Sequence, residues 1–176
     1  MTDFPYTRKN LRLRERRYYE PGFYYVTLCT WRKLHLFGKY TAKKVVLNDY
    51  GHIAKDEWRR SGLIRREISL DSFIVLPSHM HCLIKIEEPS NVGANGVRPS
   101  KSQNNQGLFP CSIGSLIAGY KSIVTKRINQ LRETPGGRVW QRGYNDRIIR
   151  KFDRLVEIRK YIDTNQEIHL KRISGE

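Results

Sequence analysis

The segment Phe73–Ile86, FIVLPSHMHCLIKI, restricts the chain more than any other stretch. Runs of apolar and β-branched residues flank Pro77-Ser78. Proline has no amide hydrogen to give to a sheet ladder, so the region reads as two strands, residues 68–76 and 79–86, with the break at Pro77. His79 and His81 are separated by one residue. Side chains on a strand alternate faces, so both imidazoles project from one face while Met80 and Cys82 enter apolar packing on the other. Two neutral imidazoles on one face can hold a divalent cation, although an HxH pair read alone more often marks two packed histidines.

The surrounding pattern mixes strand and helix signals. FYYVTLCT, residues 23–30, follows Pro21-Gly22 and reads as a strand. Residues 48–60 read as a helix capped by Asn48 or Asp49, with Gly62 at its end. Residues 112–132 form a long helix capped by Ser112 or Ser115. Its inward face carries Ile113, Leu116, Ile117, Tyr120, Val124, Ile128 and Leu131. A short strand holding Tyr144 falls within 143–150. A last helix runs from Asp153, its cap, to about Asn165, with Leu155, Ile158 and Ile162 inward. These elements predict an α+β fold, a mostly antiparallel sheet with helices packed on one side. The expected organisation is a basic N-terminal arm at 1–19, a single domain at 20–170 and a tail at 171–176. Residues 87–110, rich in Pro, Gly and Asn, form a flexible loop within that domain.

Charge narrows the partner. Lys and Arg number 33 against 17 Asp and Glu, a net charge of +16, which favours a polyanion. The apolar fraction of 39% suffices for a real core, and no apolar run approaches membrane-spanning length. No secretory signal is expected at the polar N-terminus, and the widely spaced Cys29, Cys82 and Cys111 suggest reduced cytosolic thiols. The expected setting is the cytoplasm. Arg12, Arg14, Arg16 and Arg17, Lys121 and Lys126 on the long helix, and Arg142, Arg147 and Arg150 before the last one are candidates for nucleic-acid backbone contacts. Trp31 is a candidate for stacking an unpaired base.

Two histidines leave a metal site incomplete. In YIDTN, Tyr161 and Asn165 stand at i and i+4, on one helix face. An Asn carboxamide oxygen is a hard donor suited to Mg²⁺ or Mn²⁺, and a phenol one turn away could be a nucleophile. Read alone, the pair also fits a tyrosine at a core edge and an asparagine ending a helix. Tyr120 is a rival nucleophile, but it sits among apolar residues at helical spacing and has Val124 at i+4.

LPSHMHCLI resembles the His-hydrophobe-His (HUH) motif of single-tyrosine transposases, the small insertion-sequence transposases and REP-associated tyrosine transposases. Tyr24-Tyr25-Val26-Thr27 with Trp31, GYKSIVTKRIN from Gly119, VWQRGYNDRIIR from Val139 and YIDTN resemble further family segments in the same order, across roughly residues 20–165. The resemblance implies a ferredoxin-like HUH endonuclease fold, with His79, His81 and Asn165 as ligands of Mg²⁺ or Mn²⁺ and Tyr161 as the nucleophile. It implies cleavage of single-stranded DNA beside a hairpin, through a 5′-phosphotyrosine and a free 3′-OH, by a homodimer or a monomer, associated with the bacterial nucleoid. A domesticated relative that binds hairpin DNA or RNA without cutting is the alternative, and a two-histidine hydrolase without a covalent step is another. Gln166 departs from the family, which usually has Pro there, and this leaves the end of the last helix open.

Overall fold

Residues that alternate between two apolar environments dominate the centre of the chain. The computed structural model describes residues 20–42, 44–88 and 112–174. The expected arm 1–19, with Arg12, Arg14, Arg16 and Arg17, and all but the first two residues of the expected loop 87–110 lie outside the described residues. Strands β1 (Gly22–Cys29), β4 (Ile68–Leu76), β5 (His79–Ile86) and β6 (Asn145–Ile149) form one sheet in the order β4-β5-β1-β6. Every neighbouring pair is antiparallel. Helix α1 (Asp49–Ile64) connects β1 to β4, and α2 (Ile113–Leu131) connects β5 to β6. This is the ferredoxin-like order, and the expected α+β class holds.

The expected strands 68–76 and 79–86 match the structure residue for residue. Pro77 and Ser78 form the turn, and their carbonyls are used. Thr30 donates to Ser78 O through its amide and its hydroxyl, both at 2.9 Å, and Phe37 N–H donates to Pro77 O at 2.9 Å.

The helices do not all lie on one side of the sheet. Met80, Cys82, Ile84 and Ile86 of β5 and Tyr24, Val26 and Leu28 of β1 pack with Trp58 of α1 and with Ile113, Leu116, Ile117, Tyr120, Val124 and Ile128 of α2. On the opposite face, Leu83 packs with Leu155, Ile158 and Ile162 of α3 (Phe152–Ser174). The result is three layers. The alternation that sends Met80 and Cys82 one way sends His81 and Leu83 the other, and that second face needs its own cover.

Several boundaries differ from the expected ones. Helix α1 continues through Gly62 to Ile64. Gly62 is a close-packing point, because a Cβ there would lie 2.7 Å from the Leu70 side chain. Ser112 and Ser115 cap α2 reciprocally, as a capping box. Leu131, at the last position of α2, is 53% exposed rather than inward, because the core does not extend past Ile128 to cover it. Tyr144 precedes β6 and packs against the core shared by α1 and α2. Helix α3 begins at Phe152, so Asp153 lies in its first turn instead of capping it. The helix passes through Asn165 to Ser174, into the expected tail. Gln166 keeps the amide hydrogen that proline would lack, and the ladder continues. A small hairpin, β2 (Gly38–Tyr40) with β3 (Val45–Leu47), was not anticipated, because three-residue strands carry no readable period.

Two helix glycines should respond oppositely to alanine. At Gly51 a Cβ would come within 2.2 Å of Phe37 O, a backbone atom. Gly51→Ala should destabilise by about 1–3 kcal/mol through overpacking. Gly119 is exposed, with its nearest neighbour at 3.8 Å, so Gly119→Ala should stabilise by up to about 1 kcal/mol. Denaturant melts of both variants read the two signs.

Candidate active site

The register of β1 on β5 sets Thr27 opposite His81, Tyr25 opposite Leu83 and Cys29 opposite His79. Directly opposed residues share a face, so the hydroxyls of β1 meet the imidazoles of β5. His81 is buried. Its Nδ1 lies 2.7 Å from the Tyr25 hydroxyl and 3.0 Å from the Thr27 hydroxyl. The Tyr25 ring also stacks on His81 at 5.5 Å between centroids and 20°. With the proton on Nδ1, both hydroxyl oxygens accept, and the imidazole lone pair sits on Nε2. That is the tautomer a metal ligand of this kind requires. His79 stands edge-on to His81 at 4.8 Å, with its Nδ1 3.1 Å from the Ser78 hydroxyl.

Helix α3 brings the tyrosine. Leu155, Ile158 and Ile162 fasten it over Leu83. Arg159 grips Asp71 of β4 through Nε at 2.9 Å and Nη2 at 2.5 Å, with its guanidinium 5.7 Å from the centroid of the Phe23 ring. Asp71 sits where the β4–β5 register shifts between Leu70 and Phe73. Tyr161 follows Arg159 by two positions, and its ring meets that of His81 at 5.5 Å and 63°. Its own ring stays 39% exposed, open to an incoming strand. The contact between nucleophile candidate and histidine candidate lies within one chain.

Asn165, one turn beyond Tyr161, is fully buried. Neither its Oδ1 nor its Nδ2 has a hydrogen-bond partner among the described residues. A buried carboxamide left unmatched costs free energy and calls for an explanation. A hard cation bound by Oδ1 would supply one, and imidazole and carboxamide are donor types compatible with Mn²⁺ or Mg²⁺. Among the described residues no group of three or more His, Cys, Asp and Glu could hold a metal.

Tyr25 is a neutral partner in this arrangement. Burial pushes its pKa up to about 12, and the neighbouring Tyr161 and Cys82 act in the same direction. Arg147 of β6 is opposite Tyr25 and exposed, so it stands on the histidine face. Of the expected backbone-binding cations, this is the one that the sheet register sets beside the site. Lys121 and Lys126 are on α2, which packs against the other face of the sheet. Lys121 donates to the carbonyls of Gln141, at 2.9 Å, and Gly143, at 2.5 Å. Arg142 and Arg150 are exposed on either side of β6. Tyr120 is buried and donates to Ala54 O at 2.9 Å, and burial raises its pKa well above the ordinary value, as suits a core tyrosine. Sequence reasoning missed the roles of Tyr25 and Thr27. Their alternation in FYYVTL was visible, but the strand facing them was not.

A four-stranded sheet of order β4-β5-β1-β6 with helices on both faces is the fold of a REP-associated tyrosine transposase. The solved structure of such a transposase bound to a REP hairpin aligns with a TM-score of 0.51 and 17% identity, over 88% of this chain and 72% of its own. A Deinococcus radiodurans crystal structure, provisionally described as a transposase, aligns at a TM-score of 0.42 and 16% identity over 86% of this chain and 95% of that one. No family model matches the chain. The chain belongs to one family with an uncharacterised protein of Haemophilus influenzae, to which it is 31% identical over 159 residues, 90% of this chain and 87% of that protein. No helix among the described residues is long and apolar enough to cross a membrane.

The unmatched carboxamide makes an unusual forecast. In the presence of chelator, Asn165→Leu should raise stability by about 1–3 kcal/mol, because it removes a buried polar group with no partner among the described residues. Thermal melts in EDTA test this, and a lowered Tm would mean that Asn165 is satisfied in the fold.

Proposed function

We propose that this protein nicks and rejoins single-stranded DNA beside hairpins, as a metal-dependent single-tyrosine transposase. The observation that carries the reading is Tyr161 lying against His81 within one chain, with the buried, unmatched Asn165 one turn away. His79, His81 and Asn165 would hold Mg²⁺ or Mn²⁺. When bound, the cation would offset negative charge on a non-bridging phosphate oxygen and orient the phosphate.

The chain's residues then carry the transfer. The Tyr161 phenolic oxygen attacks phosphorus and releases its proton to solvent. The P–O3′ bond breaks, and the departing 3′ oxygen takes up a proton to become a free 3′-OH. The 5′ phosphate stays on Tyr161 as a phosphodiester, so bond energy is kept and a 3′-OH can reverse the step without ATP. Tyr25 and Thr27 orient His81, and Arg147 holds the strand. The structure of the same fold bound to a REP hairpin supports a hairpin substrate. A homodimer of these chains would carry two such sites, each with its own tyrosine.

Incubation with labelled hairpin-bearing single strands and Mn²⁺, followed by a denaturing gel, tests the reading. A covalent protein–DNA adduct should form, vanish with EDTA and be absent in Tyr161→Phe. Tyr120→Phe should keep the adduct while losing about 1 kcal/mol of stability with its buried hydrogen bond. An adduct that survives in Tyr161→Phe overturns the assignment. Hairpin binding without any adduct under either cation favours a non-cleaving binder.

A further inference from the structure

Two guanidinium groups lie over the ring of Trp31. Arg138 Cζ is 4.5 Å from the ring centroid and Arg32 Cζ is 5.6 Å from it. A base-stacking tryptophan needs an open ring, whereas this ring already carries cations. A guanidinium stacked on an indole keeps its in-plane N–H groups directed outward, in a fork that matches a phosphate. Arg32, Lys33 and Arg138 are exposed, and no carboxylate pairs with any of them among the described residues.

The backbone holds these cations in place at a cost. Arg32 and Lys33 are consecutive non-glycine residues in the left-handed region, at φ 54° and 56°. Such strain persists only where the surroundings enforce it. Here Trp31 N–H donates to Val139 O at 2.8 Å, Lys33 N–H to Thr30 O at 3.1 Å and Leu34 N–H to Trp31 O at 3.1 Å. Thr30 is buried and bonded twice to Ser78 O, and the Ser78 hydroxyl lies 3.1 Å from His79 Nδ1. The strained cationic turn is therefore tied directly to the turn that begins the histidine strand.

We propose that Arg32, Lys33 and Arg138 form a clamp for DNA backbone phosphates beside the histidine pair, with Trp31 as its scaffold and not a base-stacking platform. The clamp rests on the reading that the substrate is single-stranded DNA. Its role is to hold the strand that enters the site by charge and fork geometry, without reading the bases.

The test measures binding in the full chain carrying Tyr161→Phe, in EDTA, so that neither adduct formation nor metal loading contributes. The probes are an oligothymidylate and an abasic strand of the same length, each titrated over a range of salt concentrations. Removing two phosphate contacts with Arg32→Ala and Arg138→Ala together should weaken binding to both probes. It should also make the slope of log affinity against log salt shallower by about 1.4, at about 0.7 per contact for single strands. Trp31→Leu should shallow the slope as well, because the guanidiniums lose their platform. An unchanged slope in the double arginine variant, with circular dichroism showing it folded, overturns the clamp. Weaker binding of Trp31→Leu confined to the thymidylate probe, with the slope unchanged, overturns the scaffold role in favour of stacking. Absence of an adduct in the wild-type protein would count against the proposed chemistry and would leave these slopes as they are.

Discussion

The antiparallel register of β1 on β5 is the constraint on which the site depends. It faces Thr27 to His81 and Tyr25 to Leu83, so the hydroxyls of one strand reach a single nitrogen of the next. A slip of one residue would turn every side chain of β1 over. Tyr24, Val26 and Leu28 would leave the core, and Tyr25 and Thr27 would leave His81. The hydrophobic core and the histidine orientation are therefore one choice. Burial of the apolar face supplies most of the free energy that holds the polar face in register.

The third layer has a different logic. Helix α3 covers Leu83 with Leu155, Ile158 and Ile162, and Phe23, Tyr25, Ile74 and Ile149 pack around that cluster. Arg159 adds a two-pronged grip on Asp71, which sits where the register of β4 shifts. That pair is partly exposed and contributes modest stability, but a bidentate fork constrains the helix's axial position well. Tyr161 is two residues further on and inherits that position. An irregularity in an edge strand and a salt bridge on the helix thus bear on how a phenol meets an imidazole.

Much of this was legible in advance, for identifiable reasons. Strands β4 and β5 could be read to the residue because Pro77 has no amide hydrogen to offer a ladder. The capping box of α2 and the apolar face of α1 and α2 are local patterns. The position of α3 on the opposite face of the sheet was not legible. An amphipathic helix declares that it has an apolar face, not which side of a sheet receives it. Helix ends misled in both directions. Gly62 reads as a stop signal but serves as a point of close approach to Leu70, and Asn165 reads as a terminus but lies inside a continuous helix. Tyr25 and Thr27 were hidden because their partner lies more than fifty positions along the chain, and cross-strand register is not a local property.

The histidine face also clarifies what the net charge of +16 does. Read as a total, it says only that the partner is a polyanion. The structure divides it. Lys121 is bound to carbonyls on the far side of the sheet and holds the chain's own loop. Arg159 is paired with Asp71 and holds a helix. Arg147 faces the phenol and imidazole cluster, and Arg32 and Arg138 are ordered on an indole beside the turn into His79. A cation that is already ordered loses less conformational freedom when it meets a phosphate than one on a free side chain. Pre-ordering therefore separates cations that can place a phosphate from those that merely attract one, and among the described residues Arg32 and Arg138 are ordered without a carboxylate partner beside the turn where the histidine strand begins.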